Sequence, residues 1–413
     1  MILNDKSVVL GVTGGIAAYK AAALCSHLVK AGAVVDVILT DAAREFVAPL
    51  TFQALTHRPV VTEMFALLAE TEIGHVSLAK RADLLIIAPV TANTIAKLAA
   101  GLADNMLTTT ALATQAPILL APAMESQMWA NPLTQANVER LGQIRDVTLV
   151  GPGEGRLASG ASGLGRMAEP EEILDAACWV LARRGPLAGR RVAVTAGGTR
   201  EPLDPIRFLG NRSSGQMGYA LARAARDLGA RVTLISTTGQ RAPFGAELVP
   251  VETAAKMHDA VLAALPEADV LLMAAAVADY RPLIAAEQKL KKGAADLSLA
   301  LVRTPDILAE VSKTRRVEQV IVGFAAETED LLPNALDKLQ RKRLDLIVAN
   351  DARQAMGAVS NQVTLIGADG SVEELPLLPK DEVAGQILDR VVALVNEREE
   401  RGTEGQWLPS QPE

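Results

Sequence analysis

Short apolar runs alternate along this chain with apolar positions spaced three and four apart. Ser7-Val8-Val9-Leu10-Gly11-Val12 is almost uninterruptedly apolar, which predicts a parallel strand buried on both faces. Thr13-Gly14-Gly15 follows, and Ile16 to Lys20 opens a helical pattern that passes through Leu24 and Leu28 and ends at Gly32. Val34 to Leu39 is the next strand. The same arrangement recurs at Arg191-Val192-Ala193-Val194-Thr195, which runs into Ala196-Gly197-Gly198-Thr199. There the helix is expected from Gly218 to Leu228, with Gly229 as its stop and Arg231 to Ile235 as the following strand. The likeness of KAGAVVDVILT to DLGARVTLIST marks a repeated βαβ architecture rather than a short solenoid repeat.

Leu84 to Ala88 and Ile118 to Ala121 add buried strands between these two beginnings. Strands alternating with helices predict open parallel sheets with helices on both faces. A helix from Glu171 to Ala182 precedes Arg183-Arg184-Gly185-Pro186, so the domain boundary is expected at 185. The charged, Pro-containing stretch 399–413 predicts a tail without fixed structure.

Composition narrows the function classes. A chain of 413 residues accommodates two or three domains at roughly 150 residues each. Its net charge is −7 and both halves are mildly acidic, which argues against a nucleic-acid module, as does an aromatic content of 3%. Cys25 and Cys178, the only 2 cysteines, make neither a disulfide framework nor a zinc site. The longest apolar run, Val270 to Ala278, is about half of the ~20 residues that span a bilayer. With no leader pattern at the start, the expectation is a soluble protein of a reducing, cytoplasmic compartment.

The candidate chemistry begins in the glycine loops. A glycine-rich turn between strand and helix lets backbone N–H groups approach a phosphate. Gly11, Gly14 and Gly15 lack the GxGxxG spacing, so a simple nicotinamide dehydrogenase is weakly supported, and Asp41 reads as a solvated surface acid. On their own the loops fit a tight turn as well as a ligand site.

Read with their neighbours, the loops become specific. GVTGGIAAYK, HVSLA, PVTANTIAKLAAGLADNML and PAMESQMW stand in the order of the flavin-dependent phosphopantothenoylcysteine decarboxylases, which this half resembles. TAGGTREPLDPIRFLGNRSSGQMG, AAAVADY, KLKK, TPDIL and GFAAET resemble phosphopantothenate–cysteine ligase. The whole resembles the bifunctional bacterial enzymes of coenzyme A biosynthesis. That resemblance implies a flavodoxin-like three-layer α/β flavoprotein domain over 1–185 and a Rossmann-like α/β ligase domain over 186–398. It also implies FMN, Mg²⁺ and CTP, and a homo-oligomer, a dodecamer built from trimers and dimers.

For the first half the resemblance puts Gly14, Gly15 and Ile16 near the flavin phosphate, with Thr40 at the next strand end. Thr91, Ala92, Asn93 and Thr94 would hydrogen-bond flavin or phosphate. His75 would position or deprotonate substrate; His27, His57 and His258 read as structural or surface residues. Two positions depart from the family. The PAMN motif here carries Glu125, and the position that often holds a proton-donating cysteine is Ser159. A hydroxyl is a far weaker acid than a thiol. The alternative is therefore a ligase whose first half only binds flavin or serves as a regulatory module.

For the second half the resemblance implies that CTP activates 4′-phosphopantothenate as an acyl-cytidylate, which cysteine then captures. Lys289, with Lys291 and Lys292 in the KLKK run, would neutralise charge at phosphorus. Asp279, expected at the end of a strand from Val270, would contact nucleotide or metal, next to Met273, Ala274 and Ala275. Lys338 and Lys342 share a helix face and match triphosphate-binding lysines. Pro305, Asp306, Ile307, Leu308 and Phe324 correspond to the base and ribose pocket. Asn211 matches the residue associated with turning the cytidylate into product.

Overall fold

The computed structural model describes residues 2–64, 74–291, 297–327, 329–351 and 360–404. The chain packs as two units, Met1–Ala182 and Arg183–Glu413.

In the first unit a five-stranded sheet runs Val34–Leu39, Ser7–Val12, Leu84–Val90, Ile118–Pro122, Val147–Leu149, with every neighbour parallel. This is the flavodoxin-like order, whose switch point lies between Ser7–Val12 and Leu84–Val90. Leu84–Val90 is buried at every position, as expected of a central strand sandwiched by helices. Gly11 interrupts the first strand for a packing reason. A Cβ there would lie 2.3 Å from the Leu107 side chain, so glycine admits the helix Met106–Ala113. The helix Ala18–Lys30 buries Ala18, Ala21, Leu24, Cys25 and Leu28 on one stripe. Burial pushes the Cys25 thiol up to about 11, so it packs as a small apolar side chain rather than a nucleophile. Each fully buried Leu, Ile or Val of this core is worth ~1.5–3 kcal/mol against exposure.

The second unit has an eight-stranded sheet ordered Glu247–Pro250, Arg231–Ser236, Arg191–Ala196, Val270–Met273, Val320–Glu327, Leu346–Asp351, Thr364–Gly367, Val372–Glu374. Pairing is parallel as far as Leu346–Asp351 and antiparallel beyond it. The strand order reverses between Arg191–Ala196 and Val270–Met273, which opens a crevice at their carboxyl ends.

Two expectations need correction. The strand from Val270 ends at Met273, because Ala274 to Ala278 leave the ladder as a loop, and Asp279 follows that loop rather than the strand. The last helix, Lys380–Glu404, continues past 398, so 399–404 is helical rather than tail. Val383, Ala384, Ile387, Leu388, Val391 and Val395 give it an apolar stripe buried in the core. Lys292 and residues 405–413 lie outside the described residues.

Gly218 sits in the first turn of the helix Gln216–Asp227, where a Cβ would lie 2.6 Å from Ala196 Cβ and 2.7 Å from the Thr195 carbonyl. Gly218→Ala should therefore destabilise the second unit by about 1–3 kcal/mol through overpacking. Denaturant unfolding of the variant checks this; an unshifted midpoint would mean the helix can move away freely.

Candidate active sites

A cleft of about 960 Å³ opens at the switch point of the first sheet, at the upper end of the ~300–1,000 Å³ usual for small-molecule sites. Three loops that follow strand ends form its floor. Gly14, Gly15 and Ile16 come from the first, Thr40 from the second, and Thr91, Ala92, Asn93 and Thr94 from the third. Gly14 is required by contact, since a Cβ would fall 2.4 Å from Ala42 Cβ. Thr13 locks the first and third loops together. Its Oγ1 donates to the Pro89 carbonyl at 2.8 Å and accepts from the Thr91 amide at 3.1 Å.

Thr40 and Thr91 cap their own helices by accepting from Ala43 and Thr94 amides. The helix Ala18–Lys30 has no side-chain cap at Ala17. Ala17, Tyr19 and Lys20 at its start line the cleft, at the positive end of a 13-residue helix, an arrangement that suits a phosphate. Thr13 and Lys20, both lining the cleft, escaped sequence reasoning. Lys20 Nζ is 2.8 Å from Glu169 Oε1.

The two departures from the family motifs meet in space. Ser159, in the turn of the hairpin Gly153–Arg156 and Ser162–Arg166, donates to Glu125 Oε2 at 2.8 Å. The hairpin docks beside that pair because the Met124 amide donates to the Gly165 carbonyl at 3.0 Å. A Cβ at Gly165 would stand 2.2 Å from the Met124 carbonyl oxygen. Glu125 lines the cleft. His75 does not. It lies on the helix Gly74–Arg81, and its Nδ1 is buried with no hydrogen-bond partner among the described residues. Arg81 of that helix pairs at 2.9 Å with the buried Asp36, which Arg58 also meets at 2.8 Å.

The second unit holds a cleft of about 950 Å³ at its own switch point. One wall is Met273, Ala274, Ala275 and Asp279; another is Pro305, Asp306, Ile307 and Leu308, with Phe324 beside them. Asn211 and the start of the helix Gln216–Asp227 close a third side. The glycine loop at 197–198 serves this geometry by making room. A Cβ on Gly198 would overlap the Asn211 carboxamide at 2.0 Å, and that carboxamide donates to the Ala276 carbonyl.

Lys338 and Lys342 both line the cleft. Lys338 Nζ donates to the Phe324 carbonyl at 2.7 Å. Burial pulls its pKa below the ordinary lysine value, a shift that Glu327, Asp279 and Asp306 oppose and Lys342 reinforces. Lys342 pairs with Asp306, which also caps the helix Ile307–Thr314. Burial alone would raise the Asp306 carboxyl, but Lys342 and the Ala309 amide hold it below the usual range. Lys289 stands apart: it is exposed and outside the cleft lining. Among the described residues no group of three His, Cys, Asp or Glu is placed to hold a metal ion. Asp279 is a carboxylate that lines the cleft and could meet a hard cation brought in by a ligand.

Comparison with known proteins decides the family. A model described as flavoprotein matches residues 2–181, and one described as DNA/pantothenate metabolism flavoprotein C-terminal domain matches 187–395. The coenzyme A biosynthesis bifunctional protein CoaBC of Bacillus subtilis (strain 168) is 47% identical over 407 residues, covering 97% of this chain and 100% of that protein. The chain belongs to this bifunctional coenzyme A biosynthesis family. CoaBC of Vibrio vulnificus (strain CMCP6), another member, is 43% identical over 399 residues, covering 95% of this chain and 99% of its own. A solved structure described as the FMN binding protein AtHal3 is 32% identical with a TM-score of 0.38, covering 42% of this chain and 95% of that one. Among the described residues of this family member, no helix is long and apolar enough to cross a membrane.

Proposed function

We propose that this member of the family works in the cytoplasm as both enzymes. Its second unit joins cysteine to 4′-phosphopantothenate with CTP, and its first decarboxylates 4′-phosphopantothenoylcysteine to 4′-phosphopantetheine. The observation that carries this reading is a large cleft in each unit at its switch point, which gathers most of the residues that unit's motifs nominate.

In the ligase cleft a carboxylate gains a leaving group when its oxygen attacks the α-phosphorus of CTP and pyrophosphate departs. Lys338 and Lys342 neutralise the triphosphate, while Pro305, Ile307, Leu308 and Phe324 supply an apolar seat for the base. Asp279 would hold a Mg²⁺ brought in with the nucleotide, which would neutralise charge on the triphosphate. Asn211 then orients the acyl-cytidylate for the cysteine amine, whose attack on the acyl carbon forms the amide and releases CMP. Lys289, exposed and outside the cleft lining, must swing toward the phosphates to act.

In the first cleft Gly14, Gly15 and Ile16, at the positive end of the helix Ala18–Lys30, would hold the FMN phosphate, and the Thr91 to Thr94 loop would orient the ring. FMN when bound takes up and returns the electrons that make loss of the cysteine carboxylate feasible. His75 handles the substrate proton, and its place outside the lining of its own cleft supports a site completed by a second copy. That agrees with a homo-oligomer, which we take to be a dodecamer of trimers and dimers.

Incubation with 4′-phosphopantothenate, cysteine, CTP and Mg²⁺, followed by mass analysis, tests the reading. Phosphopantetheine is the expected product. Accumulated phosphopantothenoylcysteine would disprove the first unit's activity, and no product would disprove the ligase, with 4′-phosphopantothenoylcysteine supplied directly then testing the decarboxylase. His75→Asn should keep the yellow flavin yet lose ~10²–10⁴-fold in decarboxylation. Unchanged turnover would dismiss His75.

A further inference from the structure

The motif TREPLDPIRFLG contains a buried charge that neither activity has used. Asp204 sits in the loop joining the antiparallel strands Arg200–Pro202 and Phe208–Gly210, and its side chain is 0% exposed. Its Oδ1 accepts from the Ile206 and Arg207 amides, both at 2.8 Å. Its Oδ2 accepts from Arg207 Nε at 2.9 Å, from Arg207 Nη2 at 2.6 Å, and from the Leu290 amide at 3.1 Å. Arg207 Nη2 also donates to the Leu290 carbonyl. The ion pair therefore grips both backbone polar groups of Leu290, a residue 86 positions away in sequence.

Leu290 lies between Lys289 and Lys291. Residues 285–291 have no helix or strand of their own to satisfy their backbone. One further tie nearby, the Ala286 amide to the Leu203 carbonyl at 2.9 Å, comes from the same loop. A turn that only needed a cap would be satisfied by the Ile206 and Arg207 amides. The remaining oxygen, besides taking Arg207, reaches a distant segment at the point where two exposed lysines flank it. Burying a carboxylate is costly unless such donors repay it. Here burial pushes the Asp204 carboxyl upward, but these donors outweigh it and hold it well below the usual range.

We propose that Asp204 is a positioning residue for nucleotide activation. Paired with Arg207, it clamps the strap at Leu290, so that Lys289 and Lys291 swing from a fixed base toward the phosphates. The inference rests on the role given to Lys289 above.

The test uses the full-length protein and two readouts. Trypsin cleaves after Lys289 and Lys291, and mass mapping reports how firmly the strap is held. In Asp204→Ala, cleavage at these two sites should rise about tenfold or more, because local opening is no longer opposed. Pyrophosphate release should fall ~10–100-fold in kcat with little change in KM for CTP, as for a misplaced catalytic group. Asp204→Asn keeps an acceptor for the Leu290 amide and should fall between. Arg207→Lys keeps the charge but cannot bridge both groups, and keeps the proposal testable if Asp204→Ala does not fold. Unchanged cleavage in the folded variants, or a loss confined to KM, overturns the clamp. Lys289→Gln reads the assignment beneath it. If that variant is inactive while Asp204→Ala is normal, the clamp alone is wrong; if it turns over normally, the assignment of Lys289 is wrong.

Discussion

Replacing Lys338 by Met should cut pyrophosphate release from CTP by at least about a hundredfold, the scale for losing one charge aimed at a developing anion. The helix Leu331–Arg341 brings this ammonium to the cleft, where it donates to the Phe324 carbonyl. Partly stripped of water, it interacts with phosphate more strongly than a solvated lysine. Burial already lowers its pKa, so the free enzyme should lose activity on the alkaline side earlier than an ordinary lysine would dictate. Bound triphosphate opposes that shift and moves the limb back up. Stability of the unliganded unit should not fall in Lys338→Met, because the desolvation cost leaves with the charge. Steady-state release assays across pH, with and without saturating CTP, check both statements. A variant that keeps its rate would remove Lys338 from the site. A Lys342→Met variant should lose less, since Lys342 is already engaged by Asp306.

The second large effect lies in the first unit, where Ser159 and Glu125 stand 2.8 Å apart. If proton donation at 159 limits the reductive half-reaction, Ser159→Cys should accelerate phosphopantetheine formation, because a thiol near pKa ~8.5 yields its proton far more readily than an alkanol. The neighbour restrains that gain. A carboxylate beside a thiol raises the thiol pKa, so the single variant should improve less than Ser159→Cys combined with Glu125→Asn. The double variant restores the family's commoner pair and should gain up to ~10²-fold. Stopped-flow absorbance of the flavin reads the return of electrons directly. Should Glu125→Gln alone block that return, Glu125 is the donor and the role of Ser159 is wrong. Parental behaviour in all of these variants would remove both residues from the proton transfer.

Much of the architecture was legible along the chain. Uninterrupted apolar runs such as Leu84–Val90 announce central strands, because only a strand covered on both faces can afford no polar position. Ordered motifs named the loops at Gly14, Thr91 and Asp306, the spacing of Lys338 and Lys342 named a helix face, and the fold gathers them into clefts. Where a run outlasted its strand, as from Val270 to Ala278, the apolar pattern could not say where the ladder stops. Small residues are tolerated in both settings, and the loop's position against Gly197 and Thr199 ends the pairing.

What the chain order determines by itself is local: which segments are strands, which turns need glycine, and which chemical groups stand near them. These follow from steric and apolar periodicities within a few residues. Tertiary structure decided everything that depends on pairs far apart in sequence. It put Ser159 against Glu125, sank Asp204 under Leu290, kept His75 out of its own unit's cleft lining, and left Lys289 exposed. Such juxtapositions arise from sheet order and loop closure, and a hydrogen bond reaching across 86 positions leaves no periodic trace in either of the segments it joins.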